Sequence, residues 1–234
     1  MSKPKPYISV IIAALNEEAA IAKVIHSVPR NLANEIIVVD NGSKDRTSEI
    51  AGGAGARVVK EPIPGYGRAY QAGLRTVCDR SEIVVFLDGD GSDYPEMMDR
   101  LVRPIIEGTA DFVIGSRTRG VRERGSMNFH QVLAGYMVGF ILRLLYGVRS
   151  TDMGPFRAIR RDTLDRLELR EETYGWPLEM QMRAARTGVR TIEVPVDYRR
   201  RAGGHSKIAG TVRGSFLAAT RIVTTLVRLA IERS

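Results

Sequence analysis

Cysteine is nearly absent. Cys78 stands alone among 234 residues, so no intrachain disulfide can form and a reducing cytoplasm is the expected setting. Histidine is almost as scarce: His26, His130 and His205 are scattered, with no metal-like spacing. No run of about eighteen unbroken apolar residues occurs, so no orthodox membrane span is expected. The opening Met1–Pro6 carries no apolar stretch, so no secretory leader is expected. Internal repeats and low-complexity tracts are missing. Acidic residues are outnumbered, 27 against 35 Lys and Arg, and the formal charge of +8 favours anionic partners: nucleic acid, anionic lipid or phosphorylated substrates. What is present is globular: 44% hydrophobic and 26% charged residues, enough apolar material for a sizeable core. The length suits one large domain or two small ones.

The most informative stretch is Ile83-Val84-Val85-Phe86-Leu87-Asp88-Gly89-Asp90. Its apolar run reads as a strand buried on both faces, although periodicity alone does not separate it from a helix. It stops at two carboxylates one residue apart. Parallel sheets place functional groups at the carboxyl ends of their strands. Paired acids repel unless a cation lies between them, and an oxygen-ligated Mg²⁺ or Mn²⁺ completed by phosphate oxygens suits that place. A solvated turn is the competing reading, since Asp and Gly are good turn formers.

Around this stretch the chain alternates strand and helix. Strands are expected at 7–12, 35–40, 57–60, 83–88, 111–116 and 191–196. Helices are expected from an Asn16 cap to about Val28, at 47–54, 68–77, 95–106 and 129–146, and through about Arg186 from Pro177 in a first turn. The alternation predicts an α/β fold with a mostly parallel sheet covered on both faces. Asp40 also ends a buried strand, and two acids at one sheet edge, each followed closely by glycine, favour a ligand crevice. Asp40 can accept from a ribose hydroxyl or a base N–H. The loop Gly65-Tyr66-Gly67-Arg68 offers a close approach to phosphate but is not a full dinucleotide fingerprint.

The chain resembles the family-2 glycosyltransferases of GT-A (Rossmann-like) fold, and most closely their dolichol-phosphate mannosyltransferase, or polyprenol-phosphate sugar synthase, branch. The residues carrying the resemblance, in order, are Val10–Glu18, Val38–Thr47, Gly65–Ala69, Leu87–Asp90 on the D-x-D signature, Ile114–Arg117, Asp152–Arg157 and Gly204–Lys207. The resemblance implies a GT-A catalytic domain over 1–207 with a C-terminal amphipathic helix over 208–234. It implies nucleotide-sugar contacts from Ala13, Leu15, Glu17, Asp40, Gly67, Arg68, Asp88, Gly89 and Asp90. Asp90 would ligate Mg²⁺ or Mn²⁺, with Asp88 shared between metal and nucleotide. Arg117, with Arg122 or Arg124, would receive a phosphate, the planar guanidinium fork suiting that group. Lys207 would close over the diphosphate. Glu179 is a candidate base, or a positioning residue if the acceptor is a phosphate already ionised near neutral pH.

The implied reaction is inverting, metal-dependent transfer of a sugar from a nucleotide-diphosphate sugar to a polyprenyl phosphate, at the inner face of the membrane. The alternatives are transfer to a hydroxyl of another lipid or a saccharide, with Glu179 as base, and a non-catalytic basic module binding membrane or nucleic acid. Nucleic acid is not an expected partner in the main reading; a homo-oligomer or membrane-protein partner is compatible with it. The apolar 127–147 segment reads as a membrane-interfacial helix or as a buried or subunit-interface helix. The tail places Arg213, Arg221 and Arg228 within about 80° on a helix, which suits a membrane surface or a packed helix. Three departures from the family pattern stand out: Ala13 and Leu15 replace its Pro and Tyr, Asn41 replaces its second Asp, and Ser92 followed by Asp93 stands where a Gln is often found.

Overall fold

A computed structural model describes residues 5–202 together with Thr224 and Arg228. Lys207, His205 and nearly all of the expected C-terminal helix lie outside the described residues. The sheet is built from β1 (Ile8–Ala14), β2 (Glu35–Asp40), β3 (Arg57–Lys60), β4 (Ile83–Asp88), β5 (Phe112–Ser116), β6 (Arg157–Arg160) and β7 (Thr191–Pro195), in spatial order β3-β2-β1-β4-β6-β5-β7. All pairings are parallel except those of β6, which runs antiparallel between β4 and β5. The expected α/β sheet, mostly parallel and flanked by helices, is therefore the architecture found.

β6 was not legible in the sequence. Its four residues are Arg-Ala-Ile-Arg, too short and too charged for a strand pattern. Arg157 at its head is fully buried. Its guanidinium is satisfied by carbonyl oxygens, from Nε to Gly154 O (3.1 Å), from Nη2 to the same oxygen, and from Nη1 to Pro177 O (3.1 Å). Burial brings its pKa down to about 10, still charged at neutral pH.

Helices cover both faces. α1 (Ile21–Ser27), α2 (Thr47–Gly53) and α4 (Met98–Ile106, preceded by a 3-10 turn at Pro95–Met97) enclose one apolar layer. α3 (Tyr66–Leu74), α6 (Arg161–Arg166) and α7 (Trp176–Arg186) enclose the other, where Trp176 stacks on Tyr70 at 4.7 Å between centroids. Strand alternation sends successive side chains to opposite layers, so the unbroken apolar runs of β1, β2 and β4 fill both. α1 starts later than expected. Asn16 does not cap it but adopts φ 54°, and the loop it opens is laced to the loop after β2: Asn16 N–H donates to Ser43 Oγ (2.9 Å) and Lys44 N–H to Asn16 Oδ1 (2.7 Å). Asparagine tolerates this left-handed backbone better than most residues.

α5 (Phe129–Tyr146) starts with a capping box between Asn128 and Gln131 and ends at Gly147 in the left-handed region. It packs Val138 and Leu142 on Leu178 and Met182 of α7. Its outer side exposes Phe129 (74%), Phe140 (68%) and Leu144 (73%) among other apolar residues. Among the described residues no helix is long and apolar enough to cross a membrane. Arg228, placed by the sequence on the basic face of the tail, donates to Glu171 (3.0 Å).

The contact of α3 with the sheet is close because Gly73 carries no side chain. A Cβ there would lie 2.6 Å from Ile11 Cγ2 and 3.0 Å from Val39 Cγ2, whereas one on Gly53 of α2 would meet nothing within 4 Å. Gly73→Ala is expected to destabilise the fold by about 1–3 kcal/mol through overpacking. Gly53→Ala is expected to be neutral or to stabilise by up to about 1 kcal/mol through helix propensity. Urea midpoints at unchanged slope measure both.

Candidate active site at the carboxyl edge of the sheet

The strand ends bring the acidic motif to a cavity of about 160 Å³, lined among others by Ala13, Leu15, Glu17, Asn41, Gly65, Tyr66, Asp88, Gly89, Asp90, Tyr174 and Arg201. Of the expected nucleotide-sugar residues, Ala13, Leu15, Glu17, Asp88, Gly89 and Asp90 meet there. Asp40 does not. Register explains this: Asp88 pairs with Ala13, whereas Asp40 pairs with Ala14. Side chains in register share a face and neighbours along a strand do not, so the two aspartates point to opposite layers. Asp40 instead takes the Ser43 N–H (2.8 Å) and the Ser48 hydroxyl and holds the turn after β2. Burial pushes its carboxyl up, but these hydrogen bonds outweigh it and leave the pKa below the ordinary value.

The residue that reaches the cavity from this turn is Asn41. Its amide donates to Glu61 O (3.0 Å) and Ile63 O (2.8 Å) and accepts from Gly65 N–H (2.8 Å). An ionised Asp has no donors for those two carbonyls. Asn41 thus fastens the 61–65 loop that forms one wall.

Gly67 and Arg68 serve packing in this structure. A Cβ on Gly67 would sit 2.1 Å from Glu171 O, and Arg68 forms an ion pair with Glu172 while its N–H donates to Glu172 O (3.0 Å). The segment 171–172 is therefore laid against the first turn of α3. The chemistry of this loop resides in two residues sequence reasoning passed over. Tyr66 and Tyr70, one helical turn apart, both donate to Asp88 Oδ1, at 2.9 and 3.0 Å. Their i, i+4 spacing was the available signal.

Three carboxylates crowd the end of β4. Asp90 Oδ1 accepts from Ser92 N–H (2.8 Å) and Oγ (2.5 Å). Asp93 is buried; its Oδ2 takes the Asp88 N–H (3.4 Å), and its Oδ1 has no hydrogen-bond partner among the described residues. Burial first, then Asp88 and Asp90, push the Asp93 pKa well up. Burial and then Asp90 push Asp88 to about 6, against the pull of the two tyrosine hydroxyls. Among the described residues these three carboxylates face one paired cation, Arg201 on Asp90, and their ligand atoms are all oxygen. That fits a hard divalent cation. Among the described residues no group of three or more His, Cys, Asp or Glu is disposed to hold a metal, so Asp88 and Asp90 would share the ion with ligands from outside the protein.

The other expected residues that the structure describes do not line the cavity. Arg117 is buried in a fork-to-fork pair with Asp152, Nε to Oδ2 at 2.8 Å and Nη2 to Oδ1 at 2.7 Å, and its guanidinium lies 4.9 Å from the Tyr198 ring centroid. Burial alone would disfavour its charge, but Asp152 raises its pKa well above the ordinary value. Arg122 and Arg124 are exposed on the following loop; Arg124 O accepts from Arg200 Nε (2.7 Å). Glu179 is fully buried on α7. It accepts from Arg170 N–H (2.9 Å), Glu171 N–H (2.6 Å) and Arg183 Nε (3.0 Å) and so positions the 170–172 segment.

Residues 9–168 match the family described as Glycosyl transferase family 2. The chain belongs to this family. An uncharacterized glycosyltransferase of Mycobacterium tuberculosis, Rv0539, is 35% identical over 90% of this chain and 94% of its own length. Undecaprenyl-phosphate mannosyltransferase of Micrococcus luteus is 32% identical over 77% of this chain and 78% of its own. Among solved structures, glucosyl-3-phosphoglycerate synthase from M. tuberculosis with Mn²⁺, UDP-glucose and glycerol 3-phosphate matches at TM-score 0.76 and 27% identity, over 98% of this chain and 82% of that one. The non-catalytic alternative falls away with family membership: the protein is a family-2 glycosyltransferase. The expected acceptor is corrected. Two of the structures that match almost the whole chain hold phosphoglyceric acid and glycerol 3-phosphate rather than a polyprenyl phosphate. Assignment to the polyprenol-phosphate branch, and the lipid partner that came with it, are withdrawn. Of the motifs that carried the resemblance, those at the ends of β1, β2 and β4 and at the start of α3 contribute residues to the cavity.

Asp88 gives a pH signature. Its pKa is raised from 3.8 in the unfolded chain to about 6, so its stabilising contribution is complete below 3.8 and is lost as pH rises through 6. Without metal, Asp88→Asn is expected to stabilise the protein near pH 8 by up to about 3 kcal/mol, since Asn still accepts from both tyrosines and has no charge to bury. The gain should vanish at acid pH. Denaturant unfolding across pH measures it; a gain independent of pH would contradict the buried-charge account.

Proposed function

We propose that this family-2 enzyme transfers a hexosyl group from a nucleoside-diphosphate sugar to a hydroxyl of a small phosphorylated polyol or hydroxy acid, with Mn²⁺ or Mg²⁺. The observation that carries the reading is the oxygen-lined cavity at the ends of β1 and β4, where Asp88 and Asp90 stand under-neutralised. The similarity to a synthase solved with Mn²⁺, UDP-glucose and glycerol 3-phosphate supports it.

In this reading the acceptor oxygen bonds to the anomeric carbon, the bond from that carbon to the diphosphate oxygen breaks, and the nucleoside diphosphate departs with one proton released. Asp90, with Asp88, would hold the cation, which supplies neutralisation of the departing diphosphate. Tyr66 and Tyr70 fix the Asp88 carboxylate, so its orientation does not depend on the ligand. Leu15 and the Asn41-fastened loop flank the nucleoside. Arg117, locked by Asp152, shapes the acceptor-side loop, and the exposed Arg122 and Arg124 supply the positive field that attracts an anionic acceptor. Glu179 acts through the 170–172 segment.

A screen of UDP- and GDP-sugars with Mn²⁺, against glycerol 3-phosphate, 3-phosphoglycerate and polyprenyl phosphate, tests the reading. A water-soluble glycosylated phosphate is expected, with no lipid product; an exclusively lipid-linked product would overturn it. Asp90→Asn is expected to lower metal-dependent turnover by at least about 10²-fold, the scale of a lost electrostatic contact at a leaving group. Glu179→Gln should change stability more than kcat. A loss of about 10²–10⁴-fold in kcat at unchanged KM would make Glu179 a base instead.

A further inference from the structure

Arg201 is a cavity residue that none of the sequence motifs contains. It arrives on the segment 199–202, which lies along the turn after β4. Arg199 N–H donates to Ser92 O (3.0 Å), Arg199 Nε to Gly91 O (2.6 Å) and Ala202 N–H to Asp90 O (3.1 Å). The Arg199 guanidinium also lies 4.4 Å from the Tyr94 ring centroid. This strap fixes the backbone on either side of Arg201 and turns its side chain into the cavity. There Nη2 donates to Glu17, and Nε stands 3.4 Å from Asp90 Oδ2.

Two details distinguish this from an ordinary ion pair. Ser92 takes Asp90 Oδ1, so Oδ2 is the oxygen that meets the guanidinium. And Arg201 Nε, though buried, makes no hydrogen bond among the described residues. The contact is held by charge rather than by a directed bond, at the very oxygen a divalent cation would use. Two cations on one partly desolvated carboxylate edge repel strongly.

We propose that Arg201 is an internal counter-cation of Asp90 that a divalent cation displaces on entering the site. The proposal rests on Asp90 being the metal ligand in the function proposed above. Its consequence is linkage. With no nucleotide, Arg201 competes with the metal and weakens its binding. A nucleoside diphosphate gives the displaced guanidinium a phosphate to pair with, and so strengthens metal binding.

The test is Mn²⁺ binding to the full chain, followed by electron paramagnetic resonance of the free ion, without nucleotide and then with UDP. Arg201→Gln is expected to bind Mn²⁺ at least about tenfold more tightly than the wild type without nucleotide, the factor expected for removing a like charge within a few ångströms. UDP should tighten Mn²⁺ binding more in the wild type than in this variant. Equal or weaker Mn²⁺ binding by Arg201→Gln overturns the proposal. If that variant does not fold, Arg201→Met, which keeps an unbranched stem and removes the charge, is read the same way. Asp90→Asn separates the two levels. If it binds Mn²⁺ like the wild type, the metal assignment falls and this proposal with it. If it loses Mn²⁺ while Arg201→Gln matches the wild type, only the counter-cation falls.

Discussion

The end of β4 brings together Asp88, Asp90 and Asp93, the last two of them buried, and most of what surrounds them manages that charge. Tyr66 and Tyr70 are spent on one oxygen of Asp88, Ser92 on one oxygen of Asp90, and the Asp88 N–H on one oxygen of Asp93. These bonds orient the carboxylates without neutralising them. Among the described residues the cation paired with Asp90 is Arg201, which also pairs with Glu17. A carboxylate that is oriented but under-neutralised is what a metal–diphosphate ligand requires, and the strain shows as an Asp88 pKa of about 6. A fold that tolerates this must hold the motif rigidly, and the β1–β4 pairing beneath it, buried on both faces, does so.

Around this centre, loops from distant parts of the chain are locked to one another rather than left loose. Asn16 and Ser43 interlock the loops after β1 and β2. Asn41 pins the 61–65 loop, and Glu172 covers the start of α3 where Gly65 and Gly67 leave room. Glu179 then holds the 170–172 segment from below. The cavity wall is therefore a set of mutually supporting turns at the edge of the sheet. The buried Arg117–Asp152 pair and Glu193, which accepts from Ser150 (2.9 Å) and Thr151 (2.7 Å), form a second network that does not line the cavity.

Much of this was legible in the residues. The unbroken apolar runs of β1, β2 and β4 announced strands buried on both faces, and the acids that end them announced the functional edge. β6 was not legible, because a strand with arginine at each end has no apolar signature until Arg157 finds carbonyl partners on Gly154 and Pro177. Tyr66 and Tyr70 were hidden among glycines that drew attention to the backbone. Arg201 lies more than a hundred residues from Asp90, and nothing local marks it out among neighbouring arginines.

The sequence by itself determined the parallel α/β sheet, the family, and the position of Asp88 and Asp90 at a strand end, because each follows from local periodicity and short motifs. Only the tertiary structure decided which acids share a cavity. Asp40 and Asp88 end strands on either side of β1, yet a one-residue offset in register turns them to opposite layers, and Asn41 stands where an acid was expected to serve. It also decided that Arg117 is consumed by Asp152 while Arg201 reaches Asp90. Charge pairing between remote segments depends on where folding delivers the side chains, and no spacing along the chain encodes that.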